Sequence, residues 1–209
     1  MPAILSHVAS QGIGAKAAWR ERILAGRAAS GTLARARAAS ALVEALLPGA
    51  VGPVAAYASI GTEPPTGPLL HALAARGPVL LPVLRGDGEL DWAPYESDRP
   101  LVRAGRGLLQ SAAEPLGPDA VAECALVVVP ALAVDRRGVR LGRGAGCYDR
   151  ALARATGTVI AALYDGELVG RLPHEPHDRP VHAVVLPSRG LVRLRGAGLP
   201  GDGGRPGAS

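Results

Sequence analysis

The segment from Arg140 to Arg150, RLGRGAGCYDR, concentrates residue types that bind anions. Gly142, Gly144 and Gly146 alternate, so the backbone is able to turn sharply and bring several N–H groups against the oxygens of one ligand. A phosphate is the natural ligand of such a turn where it opens a helix. Arg140, Arg143 and Arg150 add charges that pair with phosphate or carboxylate oxygens, and Asp149, on the first helical turn, is placed to hold a magnesium ion directly or through water. The same residues also fit a glycine turn with solvated arginines and an aspartate set against the helix N-terminus. Two familiar phosphate sites are excluded: no Lys-Ser/Thr pair ends the loop as in a P-loop, and the third glycine falls too early for the dinucleotide fingerprint.

The elements that must position this loop follow from hydrophobic periodicity. A helix is expected from Ala15 to Ala29, with Lys16, Arg20, Ile23 and Arg27 in one stripe, and a second from Thr32 to Leu47, ended by Pro48-Gly49. Strands are expected at Val54 to Ser59, Val79 to Leu84, Leu90 to Tyr95, Ala125 to Ala131, Val159 to Tyr164 and Ala183 to Leu186. Helices from Pro68 to Arg76 and from Cys147 to Ala155 alternate with them. The uninterrupted apolar run ALVVVPA, Ala125 to Ala131, is what a parallel strand covered on both faces requires. The pattern predicts an α/β fold: a three-layer sandwich with a mostly parallel, Rossmann-like central sheet and ligand sites beyond the carboxyl ends of its strands.

The chain has 209 residues, of which 48% are apolar, enough for one compact core. The expected organisation is a flexible segment over 1–14, a single catalytic domain over 15–195, and a disordered tail over 196–209, where Gly and Pro dominate. Without a long apolar run or a basic n-region before one, the expected address is the cytoplasm, with no membrane partner. Two cysteines, Cys124 and Cys147, lack zinc or disulfide spacing, and Cys147 reads as a small buried residue. The net charge of +5 does not single out nucleic acid, because arginine is spread along the chain and aromatics make up only 3%; it suits an anionic small molecule.

The longer string VPALAVDRRGVRLGRGAGCYDRAL, Val129 to Leu152, resembles the signature of the 5-formyltetrahydrofolate cyclo-ligase family, also called methenyltetrahydrofolate synthetase. Three other regions carry the resemblance in the family's order, from about residue 15 to 190. Lys16, the only lysine of the chain, and Arg20 match the family's phosphate-reaching pair on the first helix. YASIGTEPPT, Tyr57 to Thr66, resembles its folate-contacting strand-loop, which makes Ala58 and Glu63 candidates for the substrate; read alone, Glu63 is a solvated loop carboxylate. LPHEPHDRPVHAVVLP, Leu172 to Pro187, resembles the segment with an acid near the metal, which leaves both Glu175 and Asp178 as candidates beside Asp149. His174 and His177 more often cap or pair locally than bind metal. Leu90 to Tyr95 and Gly107 to Ser111 match weaker regions, with Trp92 read as a packing residue.

What the resemblance implies is ATP-dependent cyclisation of 5-formyltetrahydrofolate to 5,10-methenyltetrahydrofolate, with release of ADP and phosphate and with ATP and Mg2+ required. The formyl oxygen attacks the γ-phosphate, then N10 closes the ring and expels phosphate, so the protein supplies alignment and charge stabilisation rather than a nucleophile. On this reading Lys16, Arg20, Arg140, Gly142, Arg143, Gly144, Ala145, Gly146, Cys147 and Tyr148 hold ATP, Arg143 and Tyr148 act at the reacting groups, and Tyr148 also meets the substrate. No obligate protein partner is inferred. The sequence departs from the family at Cys147, where an aromatic pair is usual, at Gln110-Ser111, where Glu-Pro is frequent, and at His182, where Asp is common. The competing readings are a sugar-phosphate isomerase or CoA-transferase-like enzyme that needs no ATP, or a basic anion-binding protein.

Overall fold

A computed structural model describes residues 2–176 and 178–194, with the backbone alone for residues 2–13 and 106. The tail expected over 196–209 and His177 lie outside the described residues. The elements run α1 (Pro2–Ala28), α2 (Thr32–Leu46), β1 (Val54–Ala55), α3 (Gly67–Ala74), β2 (Val79–Leu84), β3 (Leu90–Pro94), β4 (Val102–Arg103) and β5 (Leu109–Gln110). They continue with β6 (Leu126–Pro130), β7 (Ala133–Asp135), β8 (Arg140–Leu141), α4 (Cys147–Leu152), β9 (Thr158–Ala162), β10 (Leu168–Val169), β11 (Ala183–Leu186) and β12 (Gly190–Arg193). Short 3-10 turns lie at Gly105–Gly107 and Pro118–Glu123.

The main sheet has seven strands in the order β12-β11-β9-β6-β1-β2-β3, parallel at its centre and antiparallel at both edges. The two-residue period of a strand decides the layers. Leu126 and Val128 of β6 pack with α2 and α3 on one face, and Val127 and Val129 pack with α4 on the other. Both faces are covered, so the strand is apolar at every inner position. Helix α2 inserts Ala38, Ala41, Leu42 and Leu46; burying one such leucine stabilises the fold by roughly 1.5–3 kcal/mol, and Leu42→Ala would cost about 2–5 kcal/mol.

A second sheet of three short strands, β10-β7-β8, lies apart from the first. Its β7–β8 turn closes on Gly138, whose φ is +90°, and a Cβ there would stand 2.4 Å from the Val181 carbonyl. Asp135 is fully buried at the start of that turn and accepts hydrogen bonds from the backbone N–H groups of Arg137, Val139 and Leu172. Burial opposes its charge, but these bonds and the Arg137 side chain outweigh it and hold the carboxyl below its usual range.

Helix α1 docks on this second sheet: Ile23 with Trp19 and Leu24 packs on Leu132, Ala133, Val139, Leu141 and Leu172. Arg27, 3% exposed, makes two 2.7 Å bonds to Glu167 and one to the Ala131 carbonyl. The expected stripe of Lys16, Arg20, Ile23 and Arg27 is therefore the docking face.

Several boundaries differ from expectation. The first helix starts at Pro2 rather than Ala15, so the stretch assigned to a flexible segment is helical from there; Pro2 suits a first turn, and the glycines at 12 and 14 each cost only about 1 kcal/mol against alanine. The strand expected over Val54 to Ser59 pairs as β1 only at Val54–Ala55 before the chain leaves the ladder. Strands β4, β5, β7, β8, β10 and β12 are two to four residues long, too short for a periodic signal.

Candidate active site

A cleft of about 610 Å³ opens beyond the carboxyl ends of β1, β2 and β6. Four distant segments wall it: Lys16 and Arg20 from α1, Tyr57 to Glu63 after β1, the whole run from Arg140 to Asp149, and Glu175 with Asp178. Apart from Arg150, every residue singled out in the sequence as a candidate for ATP, substrate or metal lines this one space. Leu84, Leu90 and Leu108 give it an apolar side that the sequence reading did not single out residue by residue.

The loop earns its shape from glycine. Gly144 and Gly146 have φ of +101° and +68°, which side-chain-bearing residues rarely adopt. A Cβ at Gly142 would meet Arg140 at 2.9 Å, and one at Gly144 would meet the Arg20 guanidinium at 3.2 Å. Arg20 in turn donates from Nε to the Gly142 carbonyl at 3.0 Å, so α1 holds the loop by the residue that faces the cleft. Small residues here let the guanidinium groups lie directly on the backbone.

The cations of the cleft are paired with its acids. Lys16 Nζ lies 3.0 Å from Asp178 and 3.3 Å from Glu175, Arg140 lies 3.0 Å from Asp149, and Arg143 lies 3.3 Å from Glu63. Glu63 is anchored by the N–H of Ile60 at 2.9 Å, and Arg140 also stacks over the Tyr148 ring at 5.5 Å. Among the described residues no three His, Cys, Asp or Glu side chains converge as a ready metal cage. Asp149, Glu175 and Asp178 instead stand at the cleft wall beside basic groups.

Two tyrosines reach this space, Tyr57 buried and Tyr148 partly buried. The hydroxyls of Tyr57 and Tyr148 and the Nε of Arg140 have no hydrogen-bond partner among the described residues. Burial first, and then Glu63, push both phenols above the usual range, so both stay protonated donors. Tyr148 was a candidate from sequence; Tyr57 was not, because it ends an apolar run that reads as core. Thr66, buried completely, braces the same segment by donating to the Tyr57 carbonyl at 2.7 Å and accepting from Ser59 N–H at 2.9 Å.

Three expectations change. Arg150 does not line the cleft; it turns to the β2–β3 turn, where Glu89 at 2.7 Å and the Gly88 carbonyl bind it. Cys147, expected to be buried, is partly exposed on the cleft wall, its Sγ 3.7 Å from the Ala145 carbonyl, because it stands at the first turn of α4 where the loop opens. Glu63 is 6% exposed rather than solvated, held over the cleft by Arg143 and Ile60. Trp92 is a core residue, as its size suggested.

The model of the 5-formyltetrahydrofolate cyclo-ligase family matches residues 13–187. A 5-formyltetrahydrofolate cyclo-ligase from Mycolicibacterium smegmatis is 45% identical over 150 residues, 68% of this chain and 77% of that protein. One from Escherichia coli is 32% identical over 142 residues, 65% of this chain and 78% of its own. The solved 5,10-methenyltetrahydrofolate synthetase of Aquifex aeolicus superposes with a TM-score of 0.74 at 27% identity, covering 86% of this chain and 93% of that one. That of Mycoplasma pneumoniae, at 21% identity and a TM-score of 0.63 over 81% and 96%, speaks for the fold alone.

Proposed function

The chain belongs to the 5-formyltetrahydrofolate cyclo-ligase family, and we propose that its cleft aligns ATP with 5-formyltetrahydrofolate for ring closure to 5,10-methenyltetrahydrofolate. The observation that carries this reading is convergence: Lys16 and Arg20, Glu63, and the loop from Arg140 to Asp149 come from segments far apart in the chain and wall one space. Isomerase-like, CoA-transferase-like and plain anion-binding readings account for a glycine loop or for charge, but not for a family match over residues 13–187.

On this reading the loop N–H groups with Lys16, Arg20, Arg140 and Arg143 hold the phosphates of ATP, and Ala58, Glu63 and Tyr148 face the folate. Arg143 lies between the two, since it reaches Glu63 from the glycine loop. It is thereby placed to offset charge on the transferring phosphoryl group as the formyl oxygen bonds to phosphorus and ADP departs. Tyr148 stays protonated and serves as a donor, not a base. N10 then attacks the activated carbon, and inorganic phosphate leaves with the former formyl oxygen.

Magnesium fits the same scheme. It is typically held by one or two carboxylates together with substrate phosphates and water, which a wall carrying a few acids rather than a full cage can provide. Asp149, Glu175 and Asp178 are the groups that would hold it, and it would supply charge neutralisation at the phosphates. Among the described residues no helix is long and apolar enough to cross a membrane, and a cytoplasmic address is part of the proposal. The test is to mix protein, 5-formyltetrahydrofolate and magnesium with and without ATP and to follow the methenyl product by near-ultraviolet absorbance; ATP-dependent product is expected, and its absence would overturn the reading.

A further inference from the structure

With glycine at 142, 144 and 146, the loop has little stiffness of its own, so its shape depends on what holds its two ends. The near end is held by Arg20, which donates to the Gly142 carbonyl at 3.0 Å. The far end runs into α4, which has six residues. An isolated helix needs roughly 12–15 residues to be even marginally stable, so contacts place α4. Ala151 and Leu152 supply the inner contacts, in the core. The outer ones come from Arg150 and Arg154.

The Arg150 guanidinium lies between two glycines. A Cβ at Gly146 would stand 3.3 Å from its Nη1, and one at Gly88 would stand 3.3 Å from its Nη2, which also donates to the Gly88 carbonyl. Its Nε lies 2.7 Å from one oxygen of Glu89. The other oxygen of Glu89 is 3.0 Å from Arg154, which reaches Asp119 at 3.1 Å. Glu89 stands on a fixed base, because Arg85 N–H bonds to its carbonyl and Gly88 N–H bonds to the Arg85 carbonyl, both at 3.0 Å. Leu84 and Leu90, which flank this turn, pair across β2 and β3 and line the cleft. Arg150 therefore bolts the end of the glycine loop to the turn that carries the apolar wall.

Partly exposed ion pairs such as these add little to folding stability. We propose that Glu89 and Arg150 are a positioning pair for the nucleotide half of the cleft: Glu89 holds Arg150 against Gly146 and so fixes the end of the loop on which the phosphates of ATP bind. Neither residue touches the nucleotide. The proposal rests on the reading of the loop as the ATP site, and it gives Arg150 a task other than direct contact with phosphate.

The test compares Glu89→Gln, Arg150→Gln and the double variant by calorimetric binding of a non-hydrolysable ATP analogue with magnesium, by KM for each substrate and by thermal unfolding. Each single change weakens analogue binding and raises the ATP KM about two- to fivefold, the scale of one exposed charge pair. The double variant is no weaker than the worse single one, and the folate KM stays within about twofold. Melting temperatures fall by at most about 2–4 °C. Weakened binding in Arg150→Gln with unchanged binding in Glu89→Gln would make Arg150 a phosphate ligand and overturn the proposal. So would lower melting temperatures with analogue binding unchanged.

Cys147 gives a readout free of turnover. It is partly exposed at the first turn of α4, while Cys124 is buried, with its thiol pushed up to about 11 by that burial. Without nucleotide, iodoacetamide alkylates Cys147 about two- to fivefold faster in Glu89→Gln than in the wild type; equal rates would overturn the proposal. If the variants behave as described but the wild type makes no methenyl product, the proposal holds and the cyclo-ligase reading fails. A wild type that binds no analogue overturns both.

Discussion

Arg143, half-exposed on the glycine loop, lies 3.3 Å from the buried carboxylate of Glu63, eighty positions earlier in the chain. The pair joins two walls of the cleft; on the proposed function, one partner faces the nucleotide and the other the folate. A charge-assisted bond to Glu63 is worth about 1.5–3 kcal/mol, so Glu63→Gln raises KM for 5-formyltetrahydrofolate roughly ten- to hundredfold. Binding of a non-hydrolysable ATP analogue, measured by calorimetry, is unchanged or tighter, because Arg143 loses a competing partner. Weaker nucleotide binding would show that Glu63 shapes the loop rather than the substrate half.

Lys16 makes a separate case, because its present partners are acids and its expected one is a phosphate. Lys16→Ala raises KM for ATP about ten- to hundredfold on the same charge-assisted scale and leaves the folate KM within about twofold. Unchanged ATP kinetics would leave Lys16 as a tie between α1 and the segment around Asp178.

Gly144 tests the loop itself. An alanine there must hold φ near +101° and press a methyl on Arg20 at 3.2 Å. Backbone strain alone is worth about 1–3 kcal/mol. Gly144→Ala therefore raises the ATP KM and lowers the melting temperature together, while Gly166→Ala, also at positive φ but in open space away from the cleft, affects only stability. Equal ATP kinetics in the two variants would contradict a tight loop.

The pattern of what could be read from the sequence has a physical basis. The apolar runs of β2, β6 and β11 and the stops after α2 and α3 are local signals, and the structure has these elements within one or two residues. Physical reading of the site reached only the loop from Arg140 to Arg150; Lys16, Glu63 and Asp178 came through family resemblance, since nothing local links Arg143 to Glu63 across 80 positions or Lys16 to Asp178 across 162. Arg27 with Glu167, and Asp135 with Leu172, were not legible for the same reason: their partners are 140 and 37 residues away. Arg150, on the first turns of α4, misled because an arginine next to the glycine loop reads as cleft-facing until the acid that captures it, Glu89, is placed beside it.

His182 gives a pH dependence. Burial lowers its pKa in the fold, and its Nδ1 accepts the N–H of Val159 at 2.8 Å, which needs an unprotonated nitrogen. The unfolded chain binds a proton more readily, so this contribution to stability is complete above about pH 6.5, the ordinary histidine value, and is lost as pH falls through the lowered value. The Asp135 contribution has the same sign but is lost only below its ordinary carboxyl range near 3.9. Melting temperatures of the wild-type protein should therefore fall as the pH drops below about 6.5, and His182→Asn should flatten that step. A step that persists in the variant would assign it to another group.

The central claim is that this cleft couples ATP to closure of a folate ring. Its most direct measurement is the rate of methenyl product formation from 5-formyltetrahydrofolate, with magnesium present, as ATP is titrated and ADP release is followed in the same sample. The account predicts product that saturates with ATP and one ADP per product formed. Product without ATP, or ATP cleavage without product, would contradict it.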